Sequence, residues 1–413
     1  MFRFIHAADP HLDSPLHGLG SHDGAPVEAL RHATRRAFAN LVDLAIAEQV
    51  HFLVIAGDLY DGDWKDFGPG MYFTKQMARL KQAGIPVYLI SGNHDAASVI
   101  TKSLPSLPNV HWFSTRRAES MTLPDLPVVI HGRGFPDRKV PENLAAEYPE
   151  AVPGKFNLGL LHTSLQGRPG HDTYAPCTLA DLLGKHYHYW ALGHIHQPEV
   201  LSTQPWIGFA GNLQGRHIKE TGPRGCNLVT VAEDFSLTVE FRPLDVVRWE
   251  MVSVDVAGLT TADEALERLG QALSGIVQAA ETRLVAVRIV FTGATGLHGS
   301  WHRQEDHWAA QCMAKALEIS PDELWIEQVK LATRPLVDPG TLAERDDLTR
   351  LVLASLSAPQ TVLPEDLQEM LKKLPPELGT PLREAWQASP DVMLADVSAI
   401  ILECLSGGEG AAA

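Results

Sequence analysis

The chain has 413 residues, of which 45% are hydrophobic and 20% are charged, as expected for a globular protein of two or three domains. No run approaches the roughly 18 consecutive apolar residues of a membrane helix, which argues against a membrane-embedded function. The formal net charge of −16 argues against a free-standing nucleic-acid binder, because affinity for phosphate backbones comes from Lys and Arg, but it does not exclude a nuclease with bound cations.

The N-terminus and the cysteines predict a cytoplasmic protein. Residues 1–6 pass directly into an apolar strand pattern and lack the features of a signal peptide. The cysteines are far apart and form no CxxC pair, so we expect unpaired thiols in a reducing compartment. They are Cys177, Cys226, Cys312 and Cys404.

Residues 1–245 alternate apolar runs with helical patterns, which predicts an α/β domain. Candidate strands at 2–7, 52–56 and 87–90 are separated by candidate helices at 27–50 and 71–83. This order favours parallel strands with covering helices, and such sheets bind ligands beyond the carboxyl ends of their strands. Further short strands, some of them antiparallel, are predicted at 128–131, 157–161, 189–192, 206–210, 228–231 and 237–241.

Two further segments follow this first domain. Residues 246–338 predict a small α+β domain, whose first helix opens with the capping-box spacing of Thr261 and Glu264. Residues 339–413 predict a helical C-terminal segment with apolar stripes and a disordered tail. These stripes either pack on their own domain or bind a partner helix, and the sequence favours neither.

Five short motifs place Asp, His or Asn just after predicted strands, where a ligand site is expected. Alone, the motifs at Asp9, Asp58 and Asn93 are common in turns and solvated loops, and His162 alone fits a satisfied semi-buried histidine. The segment 193–196 is more specific, because two imidazoles beside an apolar strand are costly without a partner. Five such motifs in succession predict one metal centre built from loops of a single sheet. Asp58 is the natural group to be shared between two ions. The candidate ligands are Asp9, His11, Asp58, Asn93, His162, His194 and His196.

The mixture of carboxylate, imidazole and amide ligands suits Mn²⁺, Fe or Zn²⁺ better than Ca²⁺ or Mg²⁺. Residues two apart on an extended loop point the same way, so His194 and His196 could bind one ion or be shared between two. Two ions about 3.5–4 Å apart can activate a water for in-line attack on phosphorus. His94 follows the ligand Asn93 and would face the phosphate, to stabilise charge or to protonate the leaving oxygen.

These motifs resemble the calcineurin-like metallophosphoesterase superfamily and, within it, the SbcD-like and YhaO-type DNA repair exonucleases. The resemblance implies a four-layer α/β/β/α sandwich with a small α+β capping domain, two Mn²⁺ ions and phosphodiester hydrolysis, with His94 as the catalytic histidine. It implies that one ion is held by Asp9, His11, Asp58 and His196. It implies that the other is held by Asp58, Asn93, His162 and His194.

Asp61 departs from this pattern, because the better known repair nucleases carry a second catalytic histidine at this position. An aspartate at this position resembles general phosphoesterases and the YhaO-type branch more closely. Exonuclease rate and directionality are therefore open. We expect Asp61 to be a catalytic residue together with His94 and to act by orienting a metal ligand.

The substrate and the partners are less determined than the reaction class. The capping domain and a set of basic side chains favour DNA, although ordinary solvated residues explain the latter equally well. The resemblance implies an SMC-like ATPase partner (of the SbcC or YhaN type) on the C-terminal helices. Three alternatives stay open: hydrolysis of nucleotides or small phosphoesters, a subunit that is mainly a scaffold of an ATPase complex, and a homodimer. The candidate DNA contacts are Arg133, Arg216, His217 and Lys219.

Overall fold

The computed structural model describes residues 1–14, 26–61, 67–97, 107–165 and 174–336. The chain divides into two compact units. Among the described residues, the first unit comprises those within 1–251, 276–287 and 320–327, and the second comprises 252–275, 288–319 and 328–336. The predicted helical segment 339–413 lies outside the described residues.

Short strands and a few helices alternate along the described chain. The strands, in order, are β1 (Phe2–Ala7), β2 (Phe52–Ile55), β3 (Val87–Leu89), β4 (Val110–Trp112), β5 (Glu119–Thr122), β6 (Val128–Gly132), β7 (Phe156–His162), β8 (Tyr189–Gly193), β9 (Glu199–Thr203), β10 (Trp206–Phe209), β11 (Gly225–Val231), β12 (Leu237–Pro243), β13 (Val247–Asp255), β14 (Leu284–Thr295) and β15 (Leu324–Pro335). The helices are α1 (Val27–Arg31), α2 (Ala33–Ala47), α3 (Gly68–Gln82), α4 (Leu179–Leu183), α5 (Ala262–Ala279), α6 (His298–Arg303) and α7 (Glu305–Ile319). Among these helices, none is long and apolar enough to cross a bilayer.

The first unit contains two six-stranded mixed sheets. The first sheet has the order β12-β11-β1-β2-β3-β4. Strands β1 to β4 are parallel to one another, β11 is antiparallel to β1, and β12 is antiparallel to β11. The second has the order β5-β6-β7-β8-β10-β9, with β6, β7, β8 and β10 parallel and antiparallel strands at both edges. The carboxyl ends of β1, β2 and β3 therefore lie at one edge, and those of β7 and β8 at the corresponding edge of the other sheet.

The two sheets pack face to face between layers of helices and loops. Aromatic side chains such as Phe4, Phe52 and Tyr189 fill the space between the sheets. The apolar faces of α2 and α3 cover the outer side of the first sheet, while Leu182 of α4 packs with Trp190 on the outer side of the second. This arrangement confirms the predicted four-layer α/β/β/α architecture.

The predicted helix at 27–50 is two helices, α1 and α2, separated at His32. Leu30 and Ala33 pack in a small cluster with Trp249, whereas Phe38 and the rest of the buried face of α2 lie beneath the first sheet. The interruption lies at His32, whose φ of −98° and ψ of 2° depart from α-helical values.

The second unit has its own apolar core. Leu269 and Leu273 form the buried stripe of α5, and the Trp301 and Trp308 rings stack at 4.2 Å. The predicted capping box of α5 is present, because the Thr261 hydroxyl accepts a hydrogen bond from the Glu264 N–H at 3.3 Å and the Glu264 carboxylate accepts one from the Thr261 N–H.

His6 makes the stability of the first unit dependent on pH. Its ring is fully buried on β1, 3.0 Å from the Tyr189 hydroxyl and 3.1 Å from the Leu192 carbonyl oxygen, partners that satisfy a neutral imidazole. Burial lowers the pKa of His6 from 6.5 to about 3. The unfolded chain therefore binds a proton below pH 6.5 that the folded chain does not. As the pH decreases from about 6.5 toward 3, the contribution of His6 to the free energy of unfolding should therefore fall by about 1.4 kcal/mol per pH unit.

Urea unfolding at pH 7.0 and at pH 5.0 measures this effect. The loss of stability on acidification should be smaller in His6→Gln than in the parent chain, because glutamine does not titrate in this range. The exposed His51→Gln should lose as much as the parent. Equal decreases in the free energy of unfolding of the parent and of His6→Gln would contradict the conclusion that His6 causes the pH dependence.

Candidate metal centre

Loops at the carboxyl ends of five strands carry the candidate ligands. Asp9 and His11 follow β1, Asp58 follows β2 and Asn93 follows β3. His162 ends β7, and the residues after β8 include His194 and His196. The parallel pairing of β1 with β2, of β2 with β3 and of β7 with β8 gathers these loops at one edge of the sandwich.

Backbone hydrogen bonds tie the first two loops together. The Asp9 N–H donates to the Gly57 carbonyl at 3.1 Å, and the His11 N–H donates to the Asp58 carbonyl at 3.0 Å. The positions of these ligands are therefore set by the main chain as well as by side-chain packing.

Asp95 joins the second loop to the third. Its buried carboxylate accepts hydrogen bonds from the backbone N–H groups of Leu59, Tyr60 and Gly92 at 3.0–3.1 Å. Burial raises the pKa of Asp95 to about 7, with Asp58 adding to the effect. No role of Asp95 was predicted from the sequence, since its hydrogen-bond donors are main-chain groups, which carry no side-chain signature.

Asp9, His11 and His196 form the first group of possible ligands, with one ligand atom from each lying within 4.8 Å of the others. The Nε2 atoms of His11 and His196 are 3.1 Å apart. Burial lowers the pKa of His11 well below its usual value, so this imidazole is neutral and has a lone pair to offer.

Asp58, His162 and His194 form the second group. The Asn93 Oδ1 atom lies between the two rings, 2.9 Å from His162 Nε2 and 3.2 Å from His194 Nδ1. His162 Nδ1 is 2.9 Å from the Ala56 carbonyl oxygen and donates to it, which leaves Nε2 directed toward the centre. Burial lowers the pKa of His194 to about 3, so this ring too is neutral.

Asp58 lies between the two groups. Its Oδ1 atom accepts a hydrogen bond from the His94 N–H at 2.9 Å. Its Oδ2 atom is 3.4 Å from His162 Nε2 and 3.8 Å from His11 Nε2. Burial acts to raise the pKa of Asp58, but His162, His11 and His94 hold it well below its usual range. A single ionised carboxylate therefore faces ligands from both sets.

These residues fit a pair of divalent cations. The Asn93 Oδ1 and Asp58 Oδ2 atoms lie 2.9 Å and 3.4 Å from His162 Nε2. Burial raises the pKa of Asp9 to about 6, although His162 and His196 oppose the shift, because the enclosed carboxylate lacks a full counter-charge. A bound cation would supply that charge, and the mixed donor set suits a transition-metal ion.

His94 and Asp61 form an ion pair beside the candidate ligands. The His94 Nδ1 atom lies 2.8 Å from Asp61 Oδ1, while 39% of the His94 side chain is exposed. The hydrogen bond to Asp61 raises the pKa of His94, despite partial burial. Asp61 also accepts hydrogen bonds from the Ser14 hydroxyl at 2.5 Å and from Arg216 at 3.1 Å. Asp61 therefore contacts the candidate catalytic histidine rather than a candidate metal ligand.

The four basic residues predicted to contact DNA differ in their surroundings. Arg216 is largely buried and bonded to Asp61, whereas the His217 and Lys219 side chains are exposed. Arg133 is mostly buried, and its guanidinium pairs with Glu147 at 2.6 Å. Arg216 is thus the member of this set that contacts the His94–Asp61 pair.

Glu220 is a functional candidate that the sequence did not reveal. It is buried, and its Oε1 atom lies 2.7 Å from His196 Nδ1. The sole sequence signal was an acidic residue among basic neighbours, in the segment Arg216-His-Ile-Lys-Glu220.

Four candidate ligands have left-handed backbone conformations. The φ angles are +49° at Asp9, +42° at His11, +50° at Asp58 and +100° at His194. Such conformations are strained for residues other than glycine and cluster at functional sites. The surrounding hydrogen bonds therefore hold the loops in shapes that few sequences adopt unaided.

Gly92 should not tolerate a side chain. A Cβ atom at this position would overlap the carboxylate and the backbone N–H of Asp58. We expect Gly92→Ala to displace Asp58, and misplacing a reacting group by about 1 Å can cost on the order of 10²-fold in rate. Phosphoester hydrolysis and Mn²⁺ titration measure this loss.

Gly275→Ala is the matched control, because a Cβ there meets no atom within 4 Å and alanine favours the interior of α5. Full activity of Gly92→Ala would show that Asp58 need not occupy this position.

The fold and the site define a metallophosphoesterase. Residues 2–198 match the calcineurin-like phosphoesterase family, and this part of the chain belongs to that family. Residues 249–334 match the middle domain of the metallophosphoesterase YhaO.

Two relatives and one solved structure illustrate the relationship. The chain is 40% identical over 258 residues to the uncharacterized metallophosphoesterase YhaO of Bacillus subtilis, covering 61% of this chain and 63% of the relative. It is 26% identical over 270 residues to the DNA double-strand break repair protein Mre11 of Sulfurisphaera tokodaii, covering 62% and 66%. Each alignment thus spans less than two thirds of the relative. A dimetal phosphatase from Danio rerio aligns at 13% identity with a TM-score of 0.37, covering 59% of this chain and 96% of that one.

Proposed function

We propose that this chain is a DNA exonuclease that hydrolyses phosphodiester bonds with two Mn²⁺ ions in DNA repair. One observation carries the proposal: seven donor side chains converge at the carboxyl edges of two sheets, with the His94–Asp61 pair beside them. The cytoplasm is the proposed compartment, because the three cysteines in the described part of the chain are buried and unpaired.

His94 is proposed to act on the scissile phosphate. Two divalent ions in this shell would polarise the phosphoryl oxygens and make water more acidic. Because Nδ1 of His94 is bonded to Asp61, Nε2 is the atom available to give a proton to the leaving oxygen. Asp61 favours the protonated ring and fixes its orientation, the role proposed for it here.

Arg216 is proposed to contact the phosphate, and His217 and Lys219 to contact the DNA backbone. The guanidinium of Arg216 lies 3.1 Å from Asp61, so it adds positive charge next to the catalytic pair. His217 and Lys219 are exposed on the same loop, where sequence-independent backbone contacts are made. Arg133 contributes only if its pair with Glu147 opens.

Relatives lend support to a DNA substrate. Several are DNA double-strand break repair proteins, at 20–26% identity. The proposed domain limits are 1–245 for catalysis and 246–338 for a cap that holds the substrate, and the match of residues 249–334 to the middle domain of YhaO supports a separate unit in that part of the chain.

A substrate panel tests the proposal. Purified protein is incubated with Mn²⁺ and linear duplex DNA, circular DNA, bis(p-nitrophenyl) phosphate or cyclic nucleotides. We expect linear DNA to be shortened from its ends, and circular DNA to persist. Parallel reactions with Fe²⁺, Zn²⁺ and Mg²⁺ test the metal. Hydrolysis of the small esters without degradation of DNA would refute the nuclease assignment.

Hydrolysis of nucleotides or small phosphoesters is the second candidate function. The observation in its favour is Asp61, which occupies the position of a second catalytic histidine in the better known repair nucleases, together with the net charge of −16. The same panel distinguishes the two functions, because turnover confined to small esters supports this one.

An SMC-like ATPase is the proposed partner, with residues 339–413 as its binding segment. Copurification with the ATPase should be lost when the chain is truncated near residue 340. If complex formation persists, another surface binds the partner. If the complex functions without any metal, the chain is mainly a scaffold.

A further inference from the structure

The buried carboxylate of Glu220 connects the candidate ligand His196 to Arg216. Its Oε1 atom accepts hydrogen bonds from His196 Nδ1 at 2.7 Å and from Arg216 Nη2 at 3.1 Å. Its Oε2 atom accepts from the Arg216 backbone N–H at 2.8 Å and from Asn212 Nδ2 at 2.9 Å. Both oxygens of a side chain that is 5% exposed are therefore fully used.

Glu220 determines which nitrogen of His196 faces the candidate metal centre. An ionised carboxylate only accepts hydrogen bonds, and its contact with His196 Nδ1 at 2.7 Å is shorter than the 3.2 Å contact between Arg216 Nη2 and the same nitrogen. The Glu220 contact therefore favours the tautomer of His196 with its proton on Nδ1. The lone pair is then on Nε2, the atom that lies 3.1 Å from His11 Nε2. A histidine that binds a metal through one nitrogen is commonly oriented in this way through the other.

Arg216 extends the contact to the catalytic pair. One of its Nη atoms bonds to Glu220 and the other to Asp61, each at 3.1 Å. Asp61 in turn lies 2.8 Å from His94 Nδ1. A continuous series of charged contacts therefore runs from His196 through Glu220, Arg216 and Asp61 to His94.

We propose that Glu220 is a positioning residue that orients the metal-facing His196 directly and the phosphate-facing His94 through Arg216 and Asp61. One carboxylate would thereby orient a side chain at the candidate metal centre and a side chain that faces the phosphate. The effect on His94 depends on the proposed function, whereas the effect on His196 does not.

Glu220→Gln tests the direct effect in the full-length chain. The Gln amide can accept from His196 Nδ1 or donate to it, so both tautomers of the ring become accessible. We expect Mn²⁺ affinity, measured by calorimetry, to fall about 10–100-fold, the usual cost of losing a partner of a metal ligand. Imidazole ¹⁵N spectra of the metal-free protein should show His196 changing from the Nδ1–H form to a mixture.

Glu240→Gln is the matched control. Glu240 lies on β12, is exposed and pairs with Arg242 at 3.0 Å. This variant should keep the parent affinity and the parent ring spectra. A Glu220→Gln protein that is folded, and that also keeps both, would overturn the proposal.

Arg216→Met tests the indirect effect. It should lower kcat, because Asp61 loses its cation, while Mn²⁺ affinity changes far less than in Glu220→Gln. In the double variant the loss of kcat should be smaller than the product of the single losses, because the two residues act in one series. Independent, multiplicative losses would refute the connection to His94.

Two further outcomes are decisive. If Glu220→Gln is unstable by circular dichroism, Glu220→Asp replaces it, because the shorter carboxylate keeps its charge but cannot reach both His196 and Arg216. Parent affinity in that variant would overturn the proposal. If the parent hydrolyses no phosphoester but the Mn²⁺ and ¹⁵N results hold, the proposed function fails while the role of Glu220 toward His196 stands.

Discussion

Asp58→Asn should abolish both metal binding and phosphoester hydrolysis. The amide can still accept the His94 N–H, so the loop should keep its shape, but the charge that faces His162 and His11 is lost. Because this carboxylate faces ligands of both sets, the decrease in Mn²⁺ affinity should exceed the roughly 10–100-fold decrease that follows when a hydrogen-bond partner of a metal ligand is removed.

Calorimetric titration with Mn²⁺, followed by hydrolysis of bis(p-nitrophenyl) phosphate, measures the effect of Asp58→Asn. Asp234→Asn is its control, because Asp234 is an exposed turn residue that accepts a hydrogen bond from the Ser236 N–H at 3.0 Å. Two bound ions and unchanged turnover in Asp58→Asn would remove Asp58 from the centre.

His94→Gln should reduce turnover while leaving metal binding intact. Loss of a proton donor typically costs about 10²–10⁴-fold in rate. The deficit should be large with DNA, whose leaving alkoxide needs a proton. It should be small with bis(p-nitrophenyl) phosphate, whose leaving phenolate does not.

The ratio of the two deficits identifies the role of His94, and Mn²⁺ stoichiometry provides a separate check. Equal losses on both substrates would point to charge stabilisation rather than proton donation. A loss of one bound ion would make His94 a ligand, which its place in a cluster with His11 and Asp58 permits. His51→Gln, at the opposite end of β2, should match the parent in both assays.

Much of the fold was predictable because the central strands carry local signals. Every strand predicted in the first 245 residues is present, with ends displaced by at most three residues. The strands β4, β5 and β9 were not predicted, because they are three to five residues long and partly exposed at sheet edges. Such strands depend on pairing with a neighbour rather than on an apolar pattern.

The candidate ligands were predictable for a related reason, since each follows a strand whose direction sets where its loop emerges. The structure brings all seven together. Glu220 and Asp95 could not be predicted. The role of Glu220 depends on His196, 24 residues away. The role of Asp95 depends on the N–H groups of Leu59 and Tyr60, at least 35 residues away. Distant hydrogen bonds leave no periodic trace in a sequence.

The left-handed residues among the ligands bear on how the protein acquires its ions. Asp9, His11 and Asp58 are held in place by main-chain bonds between their loops, which need no cation to form. Loading should therefore resemble entry into a prepared cage rather than the ion-induced folding of a zinc finger. The rate of metal binding would then be limited by the loss of water molecules coordinated to the free ion. Removal of the metal by a chelator should leave a folded polypeptide that can bind metal again.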